Sequence, residues 1–432
     1  MENSVLTKKY SHVRPNWMFF IYFAVMFVLY MQTYIQLGIQ LFIIAYVILA
    51  KFADGKIILR KNTLRNMIFI SVWFGLFTLL LFLSSKLWAY STLEGSKTML
   101  GVFRCFVIGF AIFVYADTTE RALSVMQSFA LASVIMGVAA MITTPVSQYF
   151  QAGNEGFGQV IGQQRNLIGA VSTYMVFTSY FLKKYTDFKY GYILSAFFVI
   201  LSIITGSRSS LVQLIIVLVM FIVFDKNYFR MITKLLGVVM FGAIIVLMLR
   251  NIPVLYDNIW VRFEDMFTTM SGDEIADAST QGREFYREIA FEMFKDRPIL
   301  GWGLDGFTCY LRDYPIYKGY YIEAVYSHCS WSEIMASLGL VGLIVWYVPN
   351  FYVLIINMKH FDYHPLTKYT CFLLISLLIM DYARLPWMSH PGCYQFFVLF
   401  VLILNLTRDA KAYKKQITAK SNELQKDSSL TE

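Results

Sequence analysis

The chain has 432 residues, 57% hydrophobic, 17% aromatic and 15% charged, with a mean hydropathy of +0.55. Soluble domains carry roughly 25% charged residues, so an ordinary soluble enzyme is excluded. The net charge of +9 could suit nucleic acid, but the excess lies in short loops between apolar runs, where the positive-inside rule puts it, and no nucleic-acid partner is expected.

The N-terminal MENSVLTKKYSHVRPN is polar, and no small-residue cleavage site follows the apolar run from Trp17, so no cleavable signal peptide is expected. Apolar runs of about 17–25 residues then recur along the chain, the length a spanning helix needs. They predict twelve transmembrane helices near 17–32, 36–51, 67–84, 98–116, 122–143, 166–182, 191–205, 208–224, 235–250, 329–356, 369–385 and 393–407. The fold class expected is therefore an all-α integral membrane protein. Segments 51–66, 183–190, 225–234 and the tail from Thr407 are basic or carry a basic excess. They fall on one side if both termini are cytoplasmic. The layout is a first part of the bundle over 1–250, a large external loop over 251–328, last spans over 329–407 and a cytoplasmic polar tail over 408–432. Five scattered cysteines, with no CxxC and no His/Cys cluster, argue against a disulfide framework or a metal site.

Arg208 is the only charged residue from Gly191 to Phe224. As one helix those 34 residues would be roughly 50 Å long, too long for a hydrocarbon core of about 30 Å. They must form two spans, with Gly206 and Ser207 turning the chain on the outer side. Arg208 then starts a helix at the outer surface instead of crossing the bilayer centre. In the external loop, seven Lys/Arg face thirteen Asp/Glu. Its stretch REFYREIAFEMFKDR (283–297) puts Phe285, Ile289, Phe291 and Phe294 roughly at helical spacing. That predicts an amphipathic helix resting on the membrane or the bundle, ended by Pro298 and the glycines of PILGWGLDGF.

The outer side holds few reactive groups. His328, at the junction of the loop with a span, is either an interfacial anchor or a general base, since imidazole accepts a proton near neutral pH. Arg208 and Arg283 either snorkel or bind an anion through the guanidinium fork. For Arg165, which begins a span, anchoring is the stronger reading, although Gly162, Gln163 and Asn166 make its turn polar enough to line a site. GWGLDG (301–306) fits the dinucleotide-binding G-x-G-x-x-G, but that motif must follow a strand, so the glycines read as a tight turn at the edge of a site. Asp305 and Glu323 read as solvated charges. Asp381 and Arg384 are three residues apart and can pair on a helix.

Four short patterns occur in order: Arg165-Asn166-x-x-Gly169; Thr205 to Ser209 (TGSRS); Gly282-Arg283 with Pro298-x-x-Gly301-x-Gly303-x-x-x-Phe307; and His328 before Glu333-x-x-Ala336-x-x-Gly339-x-x-Gly342. Over residues 160–345 this order resembles the O-antigen ligase/O-antigen polymerase family of bacterial membrane glycosyltransferases. The first 150 residues match only as apolar spans. Cys329 stands where that family often has asparagine. The resemblance implies a GT-C-like bundle in the bacterial cytoplasmic membrane, with the external loop roofing a cavity on the outer face. It implies metal-independent, inverting transfer of a glycan from undecaprenyl diphosphate to an acceptor hydroxyl, without a cofactor. His328 would be the base, Arg208 and Arg283 would bind the diphosphate, and Arg165 would support them. Partners would be the lipid-linked donor and acceptor, the bilayer, a flippase and a chain-length regulator. A polymerase of O-antigen, capsule or exopolysaccharide is the leading expectation. A ligase acting on lipid A core is the alternative, and a lipid-linked oligosaccharide flippase is the reading from another class. A flippase or transporter should carry charges deep in several spans, which these spans do not.

Overall fold

The computed structural model describes residues 10–29, 33–55, 61–149, 157–223, 228–253, 256–261, 264, 278–313, 326–388 and 390–429. Fourteen helices stand among them: α1 Trp17–Val28, α2 Thr33–Ala53, α3 Lys61–Leu83, α4 Thr92–Tyr115, α5 Thr119–Thr143, α6 Arg165–Thr186, α7 Gly191–Ile204, α8 Arg208–Val223, α9 Tyr228–Asn251, α10 Ala278–Asp296, α11 Gly306–Asp313, α12 Ser330–Met358, α13 Pro365–Met380 and α14 His390–Ser429. No strand occurs among the described residues. A helix stands at each of the twelve expected spans. Seven of them (α2, α3, α4, α5, α9, α12 and α14) contain a segment long and apolar enough to cross a membrane. The chain is an all-α integral membrane protein.

Burial sorts these helices. The apolar part of α14 is wholly covered by protein, while that of α9 is bare, as befits a helix that meets lipid. α14 packs against α4, α5, α6, α12 and α13. Beside it, α6 buries Ser172, Thr173, Thr178 and Ser179. Ser172 and Thr178 bond the carbonyls of Ile168 and Tyr174 one turn back, at 2.7 and 2.9 Å, and Thr173 bonds Ser210 O on α8 at 3.1 Å, so small polar residues are tolerated where backbones approach closely. The tail beyond residue 407 continues α14 as helix to Ser429, in keeping with its many Lys, Gln, Ala and Glu residues.

The turn expected at Gly206 and Ser207 is present. α7 ends at Ile204, Gly206 takes φ +58° and α8 opens at Arg208. α10 begins at Ala278, so Gly282 and Arg283 lie within it instead of starting it. Its inner face, with Ile289 and Met293, packs on Phe307 and Ala336, so the amphipathic helix rests on the bundle.

The expected span 329–356 is bent. At Gly339 (φ +62°, ψ −157°) α12 leaves helical geometry. This breaks the two ladder bonds that Leu340 and Val341 would make to Ala336 and Ser337. All four freed groups are taken by the loop after α10. Trp302 N–H donates to Ala336 O at 2.9 Å and Gly303 N–H to Ser337 O at 2.8 Å. Leu340 N–H donates to Pro298 O at 2.8 Å and Val341 N–H to Ile299 O at 3.2 Å. Buried backbone groups need such partners, so the kink and the loop require each other. Glycine is needed on both sides. A Cβ at Gly301 would stand 2.6 Å from Ser337 C, and one at Gly339 2.5 Å from Ile299 C. The glycines of PILGWG thus do more than turn the chain: they splice the loop into α12.

Candidate active site

A cavity of about 280 Å³ opens beside the N-terminus of α12, near the lower end of the roughly 300–1,000 Å³ usual for ligand pockets. Its polar wall includes Arg283, Tyr326, His328, Arg384, Asn166 and Gln395, and the turn 385–388 gives an apolar side.

His328 sits in a turn over-determined by hydrogen bonds. Its φ is +57°, a left-handed conformation that costs about 1–3 kcal/mol outside glycine and persists only under constraint. On one side, the buried Glu333 carboxylate accepts Ser327 N–H at 2.8 Å. On the other, Ser330 N–H donates to Asp381 O at 2.7 Å and its Oγ to Arg384 O at 2.7 Å. Cys329 is the N-cap residue and makes no side-chain cap. Its carbonyl instead accepts from Ser327 Oγ at 2.9 Å and Ser332 Oγ at 3.2 Å. Ser327, Ser332 and Glu333 therefore order the start of α12 without an asparagine at position 329. The imidazole lies 4.3 Å from the Tyr326 ring and 6.2 Å from that of Tyr286.

Arg283 reaches the cavity because α10 is pinned along its length. Besides the packing of Ile289 and Met293, the Arg287 guanidinium lies 4.7 Å from the Tyr382 ring, a cation–π contact. Burial, and then the positive charge of Arg283, pushes the His328 pKa down to about 4. Burial likewise raises that of the Tyr326 phenol, against the pull of Arg283. At neutral pH the cavity therefore holds an uncharged imidazole beside guanidinium groups, and no carboxylate lines it among the described residues.

The expected Asp381–Arg384 pair does not form. Asp381 accepts from Tyr347 OH at 3.1 Å, and Arg384 Nη2 donates to Gln213 Oε1 at 2.5 Å. The reason is local: α13 ends at Met380, so the two residues are not a turn apart on a helix. Arg384 instead lines the cavity, and its Nε has no hydrogen-bond partner among the described residues. Reading it as an ion-pair partner hid this role in the sequence. The available signal was an arginine just before Pro386, where a span stops.

Arg165 and Arg208 are not among the cavity-lining residues. Arg165 opens α6 between Gln164 and Asn166, both of which do line it. Arg208 opens α8, the helix that carries Gln213. The first two sequence patterns meet here: a Cβ on Gly169 would lie 2.5 Å from Ser210 Oγ and 2.8 Å from Thr205 Oγ1. His390, at the start of α14, is buried and bonded to Cys105 Sγ at 3.2 Å and Tyr394 OH at 3.1 Å. Asp305 is bonded by Thr98 Oγ1, and Glu323 lies outside the described residues. All five cysteines are free, so Cys309 and Cys329 do not pair. Among the described residues no three His, Cys, Asp or Glu side chains gather as a metal-ligand set.

A family model described as O-antigen ligase matches residues 193–347. That stretch holds Arg208, Arg283, His328 and the spliced loop, and leaves out Arg165 and Arg384. No curated protein matches the chain.

Proposed function

We propose, for a chain whose residues 193–347 match a family model described as O-antigen ligase, that the His328 cavity transfers a glycan from a polyprenyl diphosphate to an acceptor hydroxyl on the outer face of the bacterial cytoplasmic membrane. The observation that carries this reading is a cavity with two guanidinium groups, an uncharged imidazole and no carboxylate among its described lining residues. Such a site suits a dianionic diphosphate donor, which gains a further negative charge as it leaves, and a nucleophile that must lose a proton.

In this reading the acceptor oxygen attacks the anomeric carbon from the face opposite the diphosphate, inverting it. The bond from that carbon to the diphosphate oxygen breaks, and the electron pair leaves with the lipid diphosphate. The hydroxyl proton passes to a ring nitrogen of His328. Arg283 and Arg384 hold the diphosphate and stabilise the charge that grows on it, the role fixed donors fill best. The bound diphosphate also offsets the field of Arg283, so His328 becomes a stronger base when the donor is in place. Arg208 and Arg165, at the starts of α8 and α6, support the site with positive charge.

The acceptor is taken to be a second lipid-linked repeat unit, which makes the protein a polymerase of O-antigen, capsule or exopolysaccharide. Purified protein in liposomes, given lipid-diphosphate repeat units alone, should yield a glycan ladder. Product only after addition of lipid A core would make it a ligase. No product under either condition, with the donor intact, would overturn transfer chemistry and favour transport.

A further inference from the structure

A second cavity, of about 370 Å³, lies at the other end of the bundle. The helices show the distance. α3 begins beside Arg65 and leads into the turn whose Trp88 Nε1–H bonds Leu300 O in the spliced loop. Its 23 residues span about 35 Å, close to the thickness of a bilayer core. α12 and α14 likewise begin at the His328 end and reach this cavity further along.

The lining has two characters. Arg65, Arg408, Lys411 and Lys415 form a basic mouth, while Phe69 and Tyr352 form an apolar wall with their rings 5.2 Å apart. Arg408, Lys411 and Lys415 follow at intervals of three and four, which puts them on one face of α14. Lys359 also lies within electrostatic reach of Lys411. Like charges so spaced repel. Arg408 is engaged, donating to Asp117 O at 2.6 Å and to Asp409 Oδ1 at 3.2 Å. Among the described residues, Arg65, Lys411 and Lys415 have no ion-pair partner and no carboxylate lines the cavity.

A basic mouth of this kind calls for an anion. Free phosphate would use only the mouth. The wall continues onto bare apolar surface, with Ile68 54% and Tyr352 49% exposed, so an occupant with acyl chains matches both halves. We propose that this cleft between α3, α12 and α14 binds the phosphate headgroup of an anionic phospholipid, whose chains lie along Ile68, Phe69 and Tyr352.

Native mass spectrometry of the full chain in detergent tests this with phosphatidylglycerol, phosphatidylcholine and inorganic phosphate as probes. A saturable phosphatidylglycerol adduct is expected, with no matching phosphatidylcholine adduct and no displacement by millimolar phosphate. Three cations near a membrane surface contribute about 1 kcal/mol each, so Arg65→Gln/Lys411→Gln/Lys415→Gln should weaken the adduct by roughly 100-fold. Arg65→Lys/Lys411→Arg/Lys415→Arg should keep it. Lys415→Glu changes a single exposed side chain, keeps the test readable if the triple variant does not fold, and should weaken binding about tenfold or more. Equal binding of the two lipids, displacement by free phosphate, or unchanged affinity in Lys415→Glu would each overturn the proposal.

Discussion

The two ends of the bundle gather cations in opposite ways. At the His328 end, Arg283 and Arg384 come from segments far apart in the chain and are brought together by tertiary hydrogen bonds: the loop spliced into α12, and Ser330 bonded to the turn at Asp381 and Arg384. At the other end, three of the four cavity-lining cations lie on one face of α14 by helical periodicity alone. The first arrangement holds groups in fixed directions, which bond-making requires. The second sets only a local density of charge, which is enough for binding. The difference teaches where substitutions will act on rate and where on affinity.

The largest loss should come from removing both cavity guanidiniums. Each fixed donor to a developing charge is worth about 10²–10³-fold, so Arg283→Ala/Arg384→Ala should lower glycan transfer by about 10³-fold or more in liposomes at equal protein. A matching loss from Lys411→Gln would erase the contrast between the ends.

Next comes the splice. Gly339→Ala meets both a positive φ and a Cβ 2.5 Å from Ile299. Strain of this sort costs about 1–3 kcal/mol. The variant should melt several degrees lower in detergent and transfer more slowly, because the start of α12 loosens. Gly237→Ala, with nothing near its Cβ, should do neither.

Glu333 sharpens the distinction between holding and reacting. Glu333→Gln keeps an acceptor for Ser327 N–H and should retain most activity. Glu333→Ala leaves that buried N–H unpaired, a cost of about 1–3 kcal/mol, and should lower the transfer rate with donor affinity nearly unchanged.

The smallest effect is in pH. Folding depresses the His328 pKa to about 4 from an unperturbed 6.5. Between those values the unfolded chain binds the proton and the folded chain does not, so this group's contribution to stability is complete above about 6.5 and falls as pH drops towards 4. Melting temperature should decline on that acid limb, and less so in His328→Gln.

Much of the fold was legible because the bilayer simplifies the reading: apolar runs become helices, and Gly206 marks the turn before Arg208. His328 and Arg283 were singled out as reactive groups in ordered patterns, and both line the cavity. The splice was not legible, since a helix broken at Gly339 and bonded across to residues 298–303 leaves no periodic trace in sequence. Arg384 was misassigned for a similar reason. Spacing of three implies pairing only while the helix lasts, and α13 stops at Met380. Arg165 and Arg208 were grouped with the site by motif and expected to open helices; each does open one, and neither is among the residues that line the cavity.

The most direct test of the central claim, that His328 is the base of a glycan transfer whose donor is held by arginines, measures donor binding and single-turnover transfer in parallel on His328→Ala. A general base contributes typically 10²–10⁴-fold. Transfer should fall by at least 10²-fold while lipid-diphosphate affinity stays within about threefold, and His390→Ala should keep its rate. If His328→Ala transfers at near the original rate, or loses donor affinity in proportion to rate, His328 is not the base.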